Sequence, residues 1–365
     1  MSASPAERPL AAPSQHQPGR HHNRLALADA KGQLAHRALK LVGYLAVAYL
    51  IVRLIPSLRE ALRDLERVRW QWVVAALALE LVSEIGFVAS WRAIVDPDDV
   101  LARDGRGERT ATRAAWAQLG GGMLVPGGSL SGVGVGAWIL HRFGMPTKTV
   151  AERQFNLSFL NTTVDALALI VFGVGLALGI LPGEGDLALT LLPAAIATVA
   201  LGAAVLLARR AARYAAREPT KHPKLAASLT TLADSVEDTK QLLLHRGSVK
   251  PVLGAIAYLG FDVLVLWGAF IAIHYHPAPG FAVVLMAYII GALGGSLPLP
   301  AGIGSIGGMV GMLILYGVGH NAAVAAVVLY QAIGQLVPLI GGAIAYLFLR
   351  REFGSLREPA SEPSG

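Results

Sequence analysis

Residues 119–144 read LGGGMLVPGGSLSGVGVGAWILHRFG, and residues 293–319 read LGGSLPLPAGIGSIGGMVGMLILYGVG. Each opens on Leu-Gly-Gly, reaches a Leu/Pro step (Leu124-Val125-Pro126; Leu297-Pro298-Leu299-Pro300), passes through glycines and ends in a short apolar arm closed by Gly. The arms Ser129–Phe143 and Ile303–Tyr316 fall short of the roughly 20 apolar residues that cross a bilayer. Two short arms about a Pro-Gly break describe a re-entrant hairpin. Broken backbone at membrane depth survives only where protein or a watery cavity satisfies its polar groups. The regions 112–143 and 281–316 are therefore expected to be hairpins, and their likeness an internal duplication. Spacings such as Gly291/Gly295 and Gly304/Gly308 also fit close helix packing, and that alternative stays open.

The surrounding sequence requires a membrane. Of 365 residues, 54% are hydrophobic and 15% charged, against roughly 45–50% and 25% in soluble domains. Apolar residues fall in long runs, such as Ala166–Leu181 and Leu187–Ala208, whereas a soluble helix breaks its apolar stripe with charge at each turn. Spans are expected at Leu39–Ile55, Trp72–Trp91, Ala151–Leu181, Leu187–Ala208, Pro251–Ile273 and Ala322–Leu349. The first lacks a small-residue cleavage site and is expected to stay as an anchor rather than leave as a signal peptide.

The fold class is thus all-α: a polytopic transmembrane helix bundle with two re-entrant hairpins in an inverted internal repeat. Residues 1–38 form a polar tail, expected to be disordered. Residues 39–208 make the first membrane half, 209–250 a basic linker, 251–351 the second half and 352–365 a polar tail. Within the linker Leu225, Leu229, Leu232, Val236 and Leu243 recur at helical spacing, as in an amphipathic helix lying on the membrane surface.

Orientation follows from Lys and Arg in short loops. Pro182–Asp186, His274–Gly280 and Gly317–Asn321 contain neither, whereas Arg92–Arg113, Arg142–Arg153, Arg209–Lys250 and Arg350–Arg357 are basic. The first group goes outside and the second inside, with both termini cytoplasmic. Arg53–Arg69 resists, being Arg-rich yet outside in this scheme, with Glu60, Asp64 and Glu66 as partial offset. The first hairpin then enters from inside and the second from outside, an inversion characteristic of transporters.

A net charge of +7 is explained by cytoplasmic flanks and anionic headgroups, and no recognition motif points to nucleic acid. The absence of Cys excludes disulfides and thiol chemistry. No catalytic motif is present, so no enzyme activity, metal or cofactor is expected; His274 and His276 read as loop residues, His141 as interfacial and His16, His21 and His22 as tail residues.

Four acids, Glu80, Glu84, Asp165 and Asp262, lie inside apolar runs, where each costs about 2.5–3.5 kcal/mol at helix centre. They are expected to face the bundle interior, as part of a substrate path or as proton-coupling groups. Interhelical hydrogen bonding that fixes packing is the reading for Asn156, Asn161, Thr162, Thr163, Gln331 and Gln335.

The stretch Leu297–Arg351 resembles the flippase-like transmembrane family of lysylphosphatidylglycerol synthase, on Pro300, Gly302, Gly304, Gly319, Leu329, Tyr330, Pro338, Gly342 and Tyr346. Pro126–Gly144, with Asp165 downstream, looks like the family's matching earlier segment, and the resemblance covers about Leu41–Arg351. This chain has Gly307 where the family usually has Glu, Gln331 where it has Arg, and Thr162 where it has Arg. Losing the acid and base together is what a pair buried at depth would require.

The resemblance implies a stand-alone flippase-like module, without aminoacyl transfer, that moves a lipid or amphiphile across a bacterial plasma membrane. The alternatives are a non-transporting scaffold or subunit of an envelope-lipid complex and, third, an intramembrane enzyme. Expected path residues are Glu80, Glu84, Pro126, Gly128, Asp165, Asp262, Pro300, Gly302, Gly304 and Gln331. Expected partners are membrane lipids, anionic or lipid-linked, with a homo-oligomer or an envelope enzyme as further alternatives.

Overall fold

The computed structural model describes residues 68–102, 109–124, 129–183, 186–217, 249–294 and 303–355. The tail 1–38, the first expected span Leu39–Ile55, residues 53–67 of the adjoining loop, the leucines from Leu225 to Leu243 and both hairpin connections lie outside the described residues. Among the described residues the chain is all-helical, with nine α-helices, one short 3-10 turn at Val100–Ala102 and no strand. In chain order the α-helices are α1 Trp70–Val95, α2 Arg109–Leu124, α3 Ser129–Arg142, α4 Thr147–Ala177, α5 Leu187–Arg217, α6 Val249–Ala272, α7 Phe281–Leu293, α8 Ile303–Leu315 and α9 His320–Ser355.

Five of them are long and apolar enough to cross a membrane: α1, α4, α5 over Leu187–Leu207, α6, and α9 over His320–Glu352. The shortest such segment has 21 residues, about 32 Å at 1.5 Å per residue, which matches a hydrocarbon core of about 30 Å. The helices α7 and α8 have 13 residues each, about 20 Å, and cannot span alone. They follow one another in sequence and pack together, as do α2 and α3.

Small residues allow close helix approach. A side-chain carbon on Gly86 of α1 would stand 2.7 Å from the Gly254 carbonyl oxygen of α6. Ser83 and Ser90 of α1 donate hydroxyls to the carbonyls of Tyr258 (2.8 Å) and Pro251 (2.7 Å) on the same neighbour. Gly291 of α7 and Gly308 of α8 likewise press backbone on backbone, since a Cβ on Gly308 would meet the Gly291 oxygen at 2.7 Å. Where the driving force between helices is packing and not water exclusion, such approaches hold a bundle together.

Two apolar cores result. One joins α1, α4, α5, α6, α7, α8 and α9 around Val263, Leu266, Phe270, Met286 and Leu313. The other surrounds Trp91 with Leu101, Ile139, Leu140 and Leu349. Leu192, Ile196, Val199, Leu206 and Leu207 on α5 point outward, an apolar face suited to lipid.

Two helix ends depart from expectation. The helix α4 begins at Thr147, directly after Pro146, not at Ala151. The helix α9 continues past Leu349 because Glu352 pairs with Arg113 of α2 and accepts the Thr110 hydroxyl at 3.1 Å. Asp96, just past α1, accepts the backbone N–H groups of Val100 (2.7 Å) and Leu101 (3.2 Å) and so caps the 3-10 turn. Burial pushes its carboxyl upward, against the opposing pull of those two donors.

Candidate functional site

The helix α1 carries Glu80 and Glu84 four positions apart and therefore on one face. That face is covered: Glu80 is 3% exposed and Glu84 2%. Asp262 on α6, the helix packed most closely on α1, is 6% exposed. Asp165 on α4 is half-buried. Glu80, Glu84 and Asp165 all lie within electrostatic reach of Asp262, so the four acids expected from the sequence converge on one interior region.

Asp262 is the best-held member. Its Oδ2 accepts hydroxyl hydrogen bonds from Tyr288 of α7 and from Tyr330 of α9, the latter at 3.2 Å. The two tyrosine rings meet edge to face, 5.9 Å between centroids at 82°, which fixes both hydroxyls on one acceptor. Tyr258 stands one turn before Asp262 on α6, its ring 5.4 Å from Phe87 of α1.

Among the described residues, buried Glu80 Oε2, Glu84 Oε2 and Asp262 Oδ1 have no hydrogen-bond partner, and neither has Asn161 Oδ1, one turn before Asp165. The ion pairs formed among the described residues lie elsewhere: Arg92 to Asp99 (3.7 Å), Lys148 to Glu152 (3.7 Å), Arg153 to Asp98 (2.9 Å), and Arg113 to Glu352. Among the described residues no group of three or more His, Cys, Asp and Glu is arranged to hold a metal ion.

The helix α9 closes the region. A Cβ on Gly334 would lie 3.7 Å from Glu80 Oε1. Pro338, inside α9, has no N–H to give the Gly334 carbonyl four residues back, so the helix ladder is interrupted there. Gln331 accepts from Gln335 Nε2 at 3.0 Å within the same helix.

Of the other expected path residues, Gly304 lies in the packing of α8 on α7, where a Cβ on Gly294 would collide with its carbonyl. Pro126, Gly128, Pro300 and Gly302 lie outside the described residues. Thr162 and Thr163 bond back to the carbonyls of Ser158 (2.9 Å) and Phe159 (2.8 Å) in their own helix. The interhelical bonding expected of these two and of the Gln331–Gln335 pair is thus met inside α4 and α9. A position four residues back is always within a helical hydroxyl's reach.

The tyrosines Tyr258, Tyr288 and Tyr330 border the candidate site, a placement not read from the sequence. The signal available was a hydroxyl in an otherwise apolar run, with Tyr258 and Asp262 four apart. A buried amide network also escaped: Trp91 Nε1 donates to Gln118 Oε1 (2.7 Å), while Gln118 and Gln154 exchange hydrogen bonds at 3.0 and 2.8 Å, tying α1, α2 and α4 together.

The model of the family described as lysylphosphatidylglycerol synthase TM region matches residues 39–342. The matched stretch contains all four acids and the three tyrosines. No curated protein matches the chain.

Proposed function

The chain belongs to the family of the lysylphosphatidylglycerol synthase transmembrane region, and from that premise we propose that this multi-pass membrane protein translocates a lipid or amphiphile. The observation that carries the reading is the pair of helix couples α2/α3 and α7/α8, whose members of 16, 14, 13 and 13 residues are too short for comfortable spans. The members of each couple are joined by a segment containing Pro and Gly, residues 125–128 and 295–302. In this reading they are re-entrant hairpins of an inverted repeat, the first entering from the cytoplasm and the second from outside. Their breaks meet near the midplane, where backbone groups and small residues receive a headgroup. The substrates are membrane lipids, anionic or lipid-linked, the protein performs no covalent chemistry on them, and the membrane is the bacterial plasma membrane with both termini cytoplasmic.

The acids Glu80, Glu84, Asp165 and Asp262 support this reading, because charged groups inside a span mark a path more often than packing. The test is labelled-lipid movement in proteoliposomes: Asp165→Asn and Gly302→Leu each slow movement while the protein is still produced and folded. Unchanged movement in both variants would remove the assignment of the path.

A second reading is a non-transporting subunit of an envelope-lipid complex. It draws on Gly307 and Gln331, which stand where the resembling family carries Glu and Arg; a Cβ on Gly307 would meet nothing within 4 Å. Stable co-purification with one partner enzyme, together with no lipid movement, distinguishes it.

A further inference from the structure

Three buried carboxylic groups with unpartnered oxygens cannot be left charged inside a membrane bundle without compensation. Ionised, Glu80, Glu84 and Asp262 would place like charges within reach of one another, at a depth where each alone costs about 2.5–3.5 kcal/mol. A buried charge is tolerated when a base or a metal pairs with it. Among the described residues no base pairs with these three acids. The basic residues of the surrounding helices that form ion pairs, Arg92, Lys148 and Arg153, pair with Asp99, Glu152 and Asp98 outside the cluster. The described groups facing the site are Glu80 and Glu84 from α1, Asp165 and Asn161 from α4, Tyr258 and Asp262 from α6, Tyr288 from α7, and Tyr330 from α9. All are acidic or neutral.

Gly334 of α9 leaves room beside Glu80, where a Cβ would stand 3.7 Å from Oε1. Among the described residues the buried Asn161 Oδ1, one turn from Asp165, is an acceptor without a hydrogen-bond partner, and a carboxylic O–H can donate where a carboxylate only accepts.

We propose that Glu80, Glu84 and Asp262 form a proton-binding site, with the half-buried Asp165 as its connection to water, and that proton binding and release there is coupled to lipid movement. The coupling rests on the translocation reading; the proton site does not. The chemistry is O–H bond formation and cleavage alone: a carboxylate takes a proton from water on one side of the membrane and returns it to water on the other. Asp262, held by two tyrosine donors through Oδ2, keeps Oδ1 for the proton. Glu80 and Glu84, on one face of α1, extend the site along that helix.

The test has two arms. In the first, the full chain in lipid nanodiscs is measured by infrared spectroscopy for the carbonyl stretch of protonated carboxylic acids at neutral pH, in H2O and D2O. The band is expected in the wild type, and Glu80→Gln, Glu84→Gln and Asp262→Asn each remove part of it. Glu152→Gln, at an exposed ion pair, leaves it unchanged. The wild-type band decides the site even if one variant fails to fold. Its absence overturns the proton site, whether or not lipid moves.

In the second arm, labelled-lipid movement in proteoliposomes is followed with and without an imposed pH gradient. A several-fold change with the gradient, lost in Asp262→Asn protein of native elution volume, is expected. Lipid movement indifferent to the gradient overturns the coupling and leaves translocation standing. A band without any lipid movement overturns translocation and leaves the proton site standing.

Discussion

Tyr330 gives its hydroxyl to Asp262 Oδ2 at 3.2 Å across 68 positions of sequence, and so fastens the last long helix to α6 at a buried acid. Tyr288 donates to the same oxygen from α7. Among the described residues no base pairs with this acid, and the two tyrosine hydroxyls are its partners. Tyr330→Phe is expected to cost about 0.6 kcal/mol, and at most about 1.7, by the measured range of interhelical bonds in membranes. Tyr288→Phe with Tyr330→Phe should cost more than the sum, because Asp262 then loses both donors. Thermal unfolding of the purified variants in detergent reads both effects.

The crossing of α2 and α9 depends on Gly342. A Cβ there would stand 2.7 Å from the Trp116 carbonyl oxygen and 2.8 Å from the Gly120 nitrogen, backbone atoms that cannot yield. Gly342→Leu is expected to destabilise by at least the roughly 1–3 kcal/mol of an overpacked core and to broaden or abolish the monodisperse elution peak. Gly134→Ala, where nothing lies within 4 Å, should stay within about 0.5 kcal/mol of wild type.

At the other end of the same two helices Arg113 and Glu352 pair, with side chains 29% and 21% exposed. The Arg113 guanidinium also lies 4.9 Å from the centre of the Phe348 ring. Either Arg113→Ala or Glu352→Ala should lower stability by about 1 kcal/mol. The exchange Arg113→Glu with Glu352→Arg should recover part of that loss, which a double-mutant cycle measures.

Because the chain has no Cys, single cysteines report orientation without background. Lys148 at the start of α4 and His276 between α6 and α7 are both exposed. With Arg-rich loops inside, a membrane-impermeant maleimide applied to intact cells should label His276→Cys and spare Lys148→Cys. The reverse pattern would invert the proposed orientation.

The five long apolar helices among the described residues were legible because each apolar run is long, and the acids because a charge inside such a run is conspicuous. The pairing of Asp262 with Tyr288 and Tyr330 was not. Tyrosine is unremarkable in a membrane sequence, and the contact joins three helices whose register only packing decides. The extension of α9 beyond Leu349 was hidden for a related reason: Arg350, Arg351 and Glu352 look like a polar flank until Arg113 is seen to receive Glu352. Thr162 and Thr163 gave the opposite error, since their hydroxyls suggested a neighbouring helix and found their own backbone.

Whether this fold moves lipid is decided by protein-dependent translocation in proteoliposomes over a panel of labelled anionic, zwitterionic and polyprenyl-linked lipids. Movement of at least one class above protein-free vesicles is expected, slowed by Gly302→Leu and by Asp165→Asn. No movement of any class by correctly folded protein would contradict translocation, and would turn attention to the enzyme such a subunit supports.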